Sequence, residues 1–479
     1  SAQPQSMYLL YSFVLSLLFL ALLPYFLYQA ARHGKYARSF KERMGRLPES
    51  LRHDGRKTIW VHAVSVGEFL AARPLIQRLR RELPTARLLV STTTLTGQQL
   101  ALSHSDLFDG AFYFPFDWKF SVRRSLAVMK PSVVIILETE LWPNFLRECR
   151  RRGVITVLAN GRISPRSFRR YQRVARPFKR AIEDLSLMVM QSEGDAERAR
   201  RLGAAATRVR VCGNLKYDQA AIEKPGATTE ANLVPSTPNS IIEIDQRFAL
   251  SLSPHLIVAG STAPGEEEML LASLREVRLH FGLGAARLLL APRHPERFNE
   301  VARLIGRSGF RFVRRSESFD PSGSGVQRAI ANDREFQIEP SLNSGKAAIA
   351  GSPDVILLDT IGELASVYRF AAVVFVGGSL VPRGGHNLIE PAAFARPIIV
   401  GPHTENFRQI VSDFAKADAL VQTDPANLTR DVINLLTNPE QARGMGERAL
   451  RILLENRGAT ECTVSAITTV MTAKLNTAE

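Results

Sequence analysis

Short apolar runs of strand length alternate along most of this chain with stretches of helical period, and that alternation sets the expected architecture. In the first half the strand-like runs fall at 58–62, 87–92, 111–114, 132–137, 154–158, 187–190 and 208–212. In the second half they fall at 256–259, 287–291, 310–313, 355–358, 372–376, 397–400 and 419–421. Strands separated by helices specify parallel sheets covered on both faces, so the pattern predicts an α/β protein of two Rossmann-like, doubly wound domains facing a cleft. The period fades over 219–254, read as an interdomain linker with one short helix, and over 316–353, a Ser/Gly-rich insertion read as a surface loop. The predicted domains are therefore 57–218 and 255–456, followed by a C-terminal helix over 457–479 that packs back on the first half.

The N-terminus has a different pattern. Residues 7–28 are uncharged and almost wholly apolar, long enough to cross a hydrocarbon core of about 30 Å. Residues 29–56 then carry Arg32, Lys35, Arg38, Lys41, Arg43 and Arg46, read as a basic juxtamembrane helix. By the positive-inside rule this predicts a single transmembrane anchor in the inner membrane with the domains on its cytoplasmic side. A cleaved signal peptide fits less well, because neither a basic leader nor an A-x-A site flanks the run. A helix lying in the interface or docked on a partner is the other reading.

Charge adds a partner. The 479 residues carry a net charge of +16. No nucleic-acid recognition motif accompanies the excess, which leaves an anionic membrane surface as the expected partner. Between Gly161 and Ile182 lies a block containing Arg162, Arg166, Arg169, Arg170 and Arg173 with interleaved Phe168, Tyr171 and Phe178 and no acid. As a helix it presents arginines on one face, suited to phosphate-bearing head groups. The three cysteines, Cys149, Cys212 and Cys462, are far apart and suggest neither a disulfide framework nor a zinc site, which favours a reducing compartment.

In open α/β sheets ligands gather beyond the carboxyl ends of strands, so chemistry is sought there. Ser65-Val66-Gly67-Glu68 follows the first strand and opens a helix, making Glu68 the candidate general base. Glu138-Thr139-Glu140 ends a buried strand; Glu140 is read as a cap of the next helix, and Glu138 as the partner of a cation supplied by Lys216. His62 is read as a core or hydrogen-bonding histidine. In the second half Pro292-Arg293, Ile361-Gly362-Glu363, the Gly377-Gly378-Ser379-Leu380 loop and Asn387-Leu388-Ile389-Glu390 follow successive strands. Their glycines and helix starts suit a phosphate, and Glu390 suits the two hydroxyls of a ribose. Neither a metal cluster nor an Asp-x-Asp clasp is apparent.

These motifs together resemble the 3-deoxy-D-manno-octulosonic acid (Kdo) transferases of lipopolysaccharide synthesis. The likeness rests on His62-Ala63-Val64-Ser65-Val66-Gly67-Glu68, Glu138 to Asn144, Gly213 to Asp218, Pro292 to Phe298, and Gly377 to Leu380 with Gly384 to Asn387. It implies the GT-B fold and an inverting, metal-independent transfer without cofactor. The implied donor is CMP-Kdo and the acceptor the 6'-hydroxyl of a lipid A precursor, lipid IVA. On matching positions it implies that Glu68 is the base and that Glu138 and Lys216 stabilise the transition state. CMP would be held by Pro292, Arg293, Ile361 to Glu363 and Asn387 to Glu390. Ile361 departs from the Met of the family pattern. A GT-B transferase using a UDP-sugar and a non-enzymatic anionic-lipid-binding protein are the alternatives.

Overall fold

The structure is a computed structural model describing residues 8, 11–21, 24, 37–173, 175–219, 238–317 and 353–476. The chain divides into two compact units, residues 1–219 with 456–479, and residues 220–455. In the first unit the strands are β1 (Thr58–His62), β2 (Arg87–Thr92), β3 (Gly110–Tyr113), β4 (Val133–Leu137), β5 (Ile155–Gly161), β6 (Leu187–Met190) and β7 (Val209–Val211). They form one parallel sheet in the order β3-β2-β1-β4-β5-β6-β7. β1, β2, β4 and β5 are buried at every position, the expected signature of a sheet covered on both faces. Trp60, Phe112 and Phe145 fill one face, while Ile59, Phe69, Leu75 and Ile135 fill the other.

The second unit repeats the plan with β8 (Leu256–Thr262), β9 (Arg287–Pro292), β10 (Phe312–Arg314), β11 (Val355–Leu357), β12 (Val373–Val376), β13 (Ile398–Val400) and β14 (Val421–Gln422). All pair in parallel, in the order β10-β11-β9-β8-β12-β13-β14. In both sheets the chain leaves the first strand in one direction and later returns to its other side. The switch point lies between β1 and β4 in the first sheet and between β8 and β12 in the second. The alternating strands of the sequence pattern are all present.

The last helix, Ala459–Asn476, sends Ala459, Val464 and Ile467 into the core of the first unit. Its start is capped by Asp218, which accepts from the N–H groups of Gly458 and Thr460 at 2.9 and 2.6 Å. Cys212, just past β7, forms a disulfide with Cys462 on this helix across 250 residues of sequence. A disulfide that the cysteine spacing does not suggest is therefore present. The partners meet only because the last helix returns to the first unit, which their spacing does not reveal. Cys149 is free and buried.

Two expectations fall partly outside the described residues: 220–237 of the linker, of which the rest contains helix Pro238–Phe248, and 318–352 of the insertion. At the N-terminus residues 8, 11–21 and 24 are helical; among the described residues no helix is long and apolar enough to cross a membrane. Within 37–56 the α-helix is the short Ala37–Arg43. Arg43, counted above with the membrane-facing basic residues, is buried instead. Its guanidinium donates to the Thr93 carbonyl and lies over the Tyr113 ring at 4.8 Å, tying this segment to the sheet.

Candidate active site

Glu68 is the third residue of helix Val66–Glu82, whose N-cap is Ser65. Its carboxylate accepts from the Val64 N–H at 2.8 Å and lies 3.3 Å from the Ser65 hydroxyl, a variant of the Ser-x-x-Glu capping box. That spacing is visible in the sequence, and it fixes the side chain at the carboxyl end of β1. Glu138 follows β4, on the other side of the switch point, with a left-handed φ of 57° and its N–H donating to the Ala159 carbonyl. Lys216, in the turn Leu215–Gln219, places Nζ 3.7 Å from Glu138 Oε1. Burial first, and then the negative charges of Glu138 and Glu140, push the Glu68 carboxyl up to about 7 against the Val64 N–H. Glu140 is itself raised, by burial and then by Glu138. Three carboxylates and a lysine thus converge at the switch point of the first sheet.

The capping role assigned to Glu140 is not what is found. Helix Pro143–Arg151 has no side-chain cap of its own. Asp117 supplies one from a distant segment, accepting from the N–H groups of Asn144 and Phe145 at 3.1 and 2.7 Å. Asp117 is buried, and burial pushes its carboxyl up to about 7 although these bonds favour the anion. His62 is the core histidine expected: fully buried, hydrogen-bonded through Nδ1 to Ser91 Oγ at 2.9 Å and stacked on Phe114. Burial lowers it to about 3, so it stays neutral.

In the second unit Pro292 closes β9 and Arg293 follows it, exposed. Asn387 donates to Glu390 at 3.0 Å while its oxygen accepts from the Ile389 N–H. Leu388 and Ile389 are buried beneath them. Burial raises the Glu390 carboxyl; Asn387 and the charge of Arg293 oppose it. His386 is lowered to about 4 by burial and by Arg293. Arg293, His386, Asn387 and Glu390 are therefore electrostatic neighbours. Glu363 is held by Thr360 Oγ1 and by Arg315 at 3.1 Å, next to Ile361, which is 81% exposed. The helix after Gly362, Leu364–Val367, is a single turn, so its dipole adds little there.

The Gly377 to Leu380 loop is not open to an anion. Glu266, fully buried at the start of helix Glu266–Leu279, accepts from the N–H groups of Gly378, Ser379 and Leu380 at 2.7, 2.9 and 2.9 Å, and from Ala263 at 2.8 Å. Its neighbour Glu267 pairs with Arg297 at 2.8 Å. The expected phosphate nest is thus closed by the protein's own carboxylate, from a residue 112 positions away. On the basic block, helices Pro165–Arg173 and Ala175–Glu183 leave Arg166, Arg169, Arg170 and Arg173 exposed, while Phe168 is buried and Tyr171 stacks on Phe178 at 3.9 Å. Arg162 is half-buried, its carbonyl bonded by Thr139.

Residues 38–219 match the family model of the 3-deoxy-D-manno-octulosonic-acid transferases. The Kdo transferase of Haemophilus influenzae is 33% identical over 404 residues, 84% of this chain and 84% of that protein. The chain belongs to the Kdo transferase family. The Kdo transferase of Bordetella pertussis is 32% identical over 85% of this chain and 86% of that protein. This family member is accordingly a glycosyltransferase. Among solved structures, the UDP-GlcNAc 2-epimerase of Neisseria meningitidis is similar with a TM-score of 0.53 and 11% identity, covering 86% of this chain and 100% of that one. At that identity the likeness speaks to the fold, two parallel α/β units of the GT-B type.

Proposed function

We propose that this Kdo transferase moves Kdo from CMP-Kdo to the 6'-hydroxyl of a lipid A precursor, with inversion and without a metal. The observation that supports the mechanism is the placement of Glu68, fixed by the Val64 N–H and raised by burial to about 7, beside the Glu138–Lys216 pair. A base with a pKa close to the working pH combines a useful anionic fraction with driving force for taking the acceptor proton. Glu68 removes that proton as the hydroxyl attacks the anomeric carbon, and the sugar–phosphate bond breaks with its electrons leaving on CMP. Lys216, oriented by Glu138, offsets negative charge at the reacting centre. In the second unit Arg293 meets the leaving phosphate, with Pro292 and the Ile361 to Glu363 turn beside the nucleotide. Asn387 and Glu390 hold the ribose hydroxyls, on backbone anchored by Leu388 and Ile389.

The acceptor is a lipid, and two features fit an enzyme at the inner membrane's cytoplasmic surface. Residues 13, 14, 17, 18 and 20 of the N-terminal helix expose large apolar side chains, consistent with an anchor in lipid. Arg166, Arg169, Arg170 and Arg173 are placed to meet acceptor and head-group phosphates. The test is transfer of labelled Kdo from CMP-Kdo to lipid IVA in detergent, wild type beside Glu68→Gln, with products weighed by mass spectrometry. Transfer that collapses in the variant supports the reading. A wild type that transfers nothing from CMP-Kdo but is active with a UDP-sugar overturns the donor, and full activity in Glu68→Gln overturns the base.

A further inference from the structure

The N-terminal helix is polar toward the protein and apolar away from it. Tyr8, Tyr11, Ser12, Leu15, Ser16 and Phe19, spaced three and four apart, are half-buried. On the other side Phe13, Val14, Leu17, Leu18 and Leu20 are 50–60% exposed. A helix serving only as a lipid anchor has no need of a polar inner stripe, yet the polar side chains among the described residues of this one are engaged. Tyr8 donates to Asp184 at 2.9 Å, Ser12 accepts from Asn144 Nδ2 at 3.0 Å, and Ser16 accepts from Trp118 Nε1 at 3.1 Å. Phe19 packs edge-on against Trp118, with ring centroids 4.8 Å apart. The Tyr11 hydroxyl lies against the carboxylate of Asp117, close enough for the two groups to interact.

Two of these contacts end on one structural point. Asp117 is the borrowed cap of helix Pro143–Arg151, and Asn144, in the first turn of that helix, also donates to the Asp117 carbonyl at 2.6 Å. Immediately upstream runs the turn from Glu138 to Trp142. That turn is fastened at its start by the Glu138 N–H on Ala159 and in its middle by Thr139 on the Arg162 carbonyl. Its far end, where Trp142 packs on Phe114, leads into the capped helix start, which Tyr11 and Ser12 brace through Asp117 and Asn144.

We propose that Tyr11, Ser12 and Asp117 are positioning residues for the transfer reaction: through the Asp117–Asn144 cap, the N-terminal helix holds the Glu138 to Trp142 turn and so the Glu138–Lys216 pair. The proposal rests on the reading that this pair acts at the reacting centre. It gives the N-terminal helix a second task besides attachment. Losing its inner stripe loosens the turn even when the outer apolar face, and hence partition into lipid, is untouched.

The experiment uses the full chain in detergent or in vesicles of anionic and zwitterionic phospholipid, with a Tyr11→Phe/Ser12→Ala double variant beside Ser12→Thr. The double variant removes one donor and one acceptor and changes nothing on the outer face. Expected are unchanged partition into vesicles and faster amide hydrogen exchange at Asn144, Phe145 and the Glu138 to Trp142 turn. For Kdo transfer, kcat should fall roughly tenfold while KM for CMP-Kdo stays within about twofold, since small displacements at a reacting centre cost rate before donor binding. Ser12→Thr, which keeps a hydroxyl, should match wild type. Unchanged exchange in the turn overturns the proposal whatever the reaction is. Faster exchange with kcat intact overturns the link to catalysis. A wild type without Kdo transfer would instead count against the functional reading, while the exchange result still decides the structural part.

Discussion

Replacing Glu266 by Gln tests whether one buried carboxylate organises the donor-side loop. Each carboxylate oxygen takes two backbone N–H groups: Oε2 those of Ala263 and Gly378, Oε1 those of Ser379 and Leu380. An amide has one accepting oxygen. In either orientation its NH2 faces two N–H donors, so two bonds are lost and the other two lose their charge assistance. Hydrogen bonds to charged groups are worth about 1.5–3 kcal/mol each, so two lost bonds come to roughly 3–6 kcal/mol. Part is returned, because a neutral amide is cheaper to bury than a carboxylate, and burial already raises Glu266 despite its four donors. A net loss of about 2–4 kcal/mol remains, large against the 5–15 kcal/mol of a typical domain.

The chain contains its own control for this measurement. Its three tryptophans, Trp60, Trp118 and Trp142, all lie in the first unit, whereas Glu266 lies in the second. In urea, tryptophan fluorescence follows the first unit and far-ultraviolet circular dichroism follows both. Glu266→Gln should lower by about 1 M or more the midpoint of the transition seen by dichroism and not by fluorescence, at slopes of about 1–3 kcal/mol per M. CMP binding should weaken in parallel, since the loop runs on to Asn387 and Glu390. A change under about 0.5 kcal/mol in that transition would refute the reasoning, because it would mean that backbone donors so placed need no carboxylate.

Transfer should rise with pH along a limb centred near 7, where Glu68 gives up its proton, and Glu138→Gln should move that limb to lower pH by removing a like charge; an unmoved limb in the kcat/KM profile would count against the coupling. In Glu68→Gln the amide oxygen still accepts from the Val64 N–H, so thermal unfolding should change by less than about 1 kcal/mol while transfer falls at least about 100-fold; matched losses in both would make Glu68 a cap alone. Chelation with EDTA should leave the rate of purified enzyme unchanged, and activity lost to EDTA and restored by a divalent cation would refute metal-independent transfer.

The strands were legible because sheets buried on both faces write their strands as unbroken apolar runs, and both sheets here are of that kind. The meeting of Glu138 and Lys216 was legible too, since residues after strands of a parallel sheet gather at one edge. What escaped were partners chosen by the fold across long stretches of chain. Spacing suggests Glu140, near in sequence, as the helix cap, yet the side chain that reaches the free N–H groups is Asp117, 27 residues upstream. The glycine loop reads as a phosphate nest until Glu266 is seen inside it, and Cys212 and Cys462 read as unrelated thiols until the last helix returns. Charge alone groups Arg43 with its basic neighbours, whereas its burial follows from a carbonyl and two aromatic rings contributed by other segments.

The two units also pose one local arrangement twice and answer it differently. After β1 the chain enters a helix whose second and third residues are Gly67 and Glu68, and after β8 one that Gly265 caps and Glu266 begins, each beside the switch point of its sheet. The Gly-Glu step that follows a strand and opens a helix is the same in both places, while the sequence expectation falls on Glu68. A carboxylate offers about four lone-pair directions. Glu266 commits them to four backbone N–H groups and is fully buried, so a substrate proton has neither access nor an acceptor. Glu68 commits its carboxylate to one N–H and one hydroxyl, remains half-buried, and is raised to about 7 by burial and then by the charges of Glu138 and Glu140. Uncommitted lone pairs under like-charge pressure are what a general base requires, so of the two glutamates only Glu68 has the surroundings for the chemistry, and Glu266 has those of a structural anion.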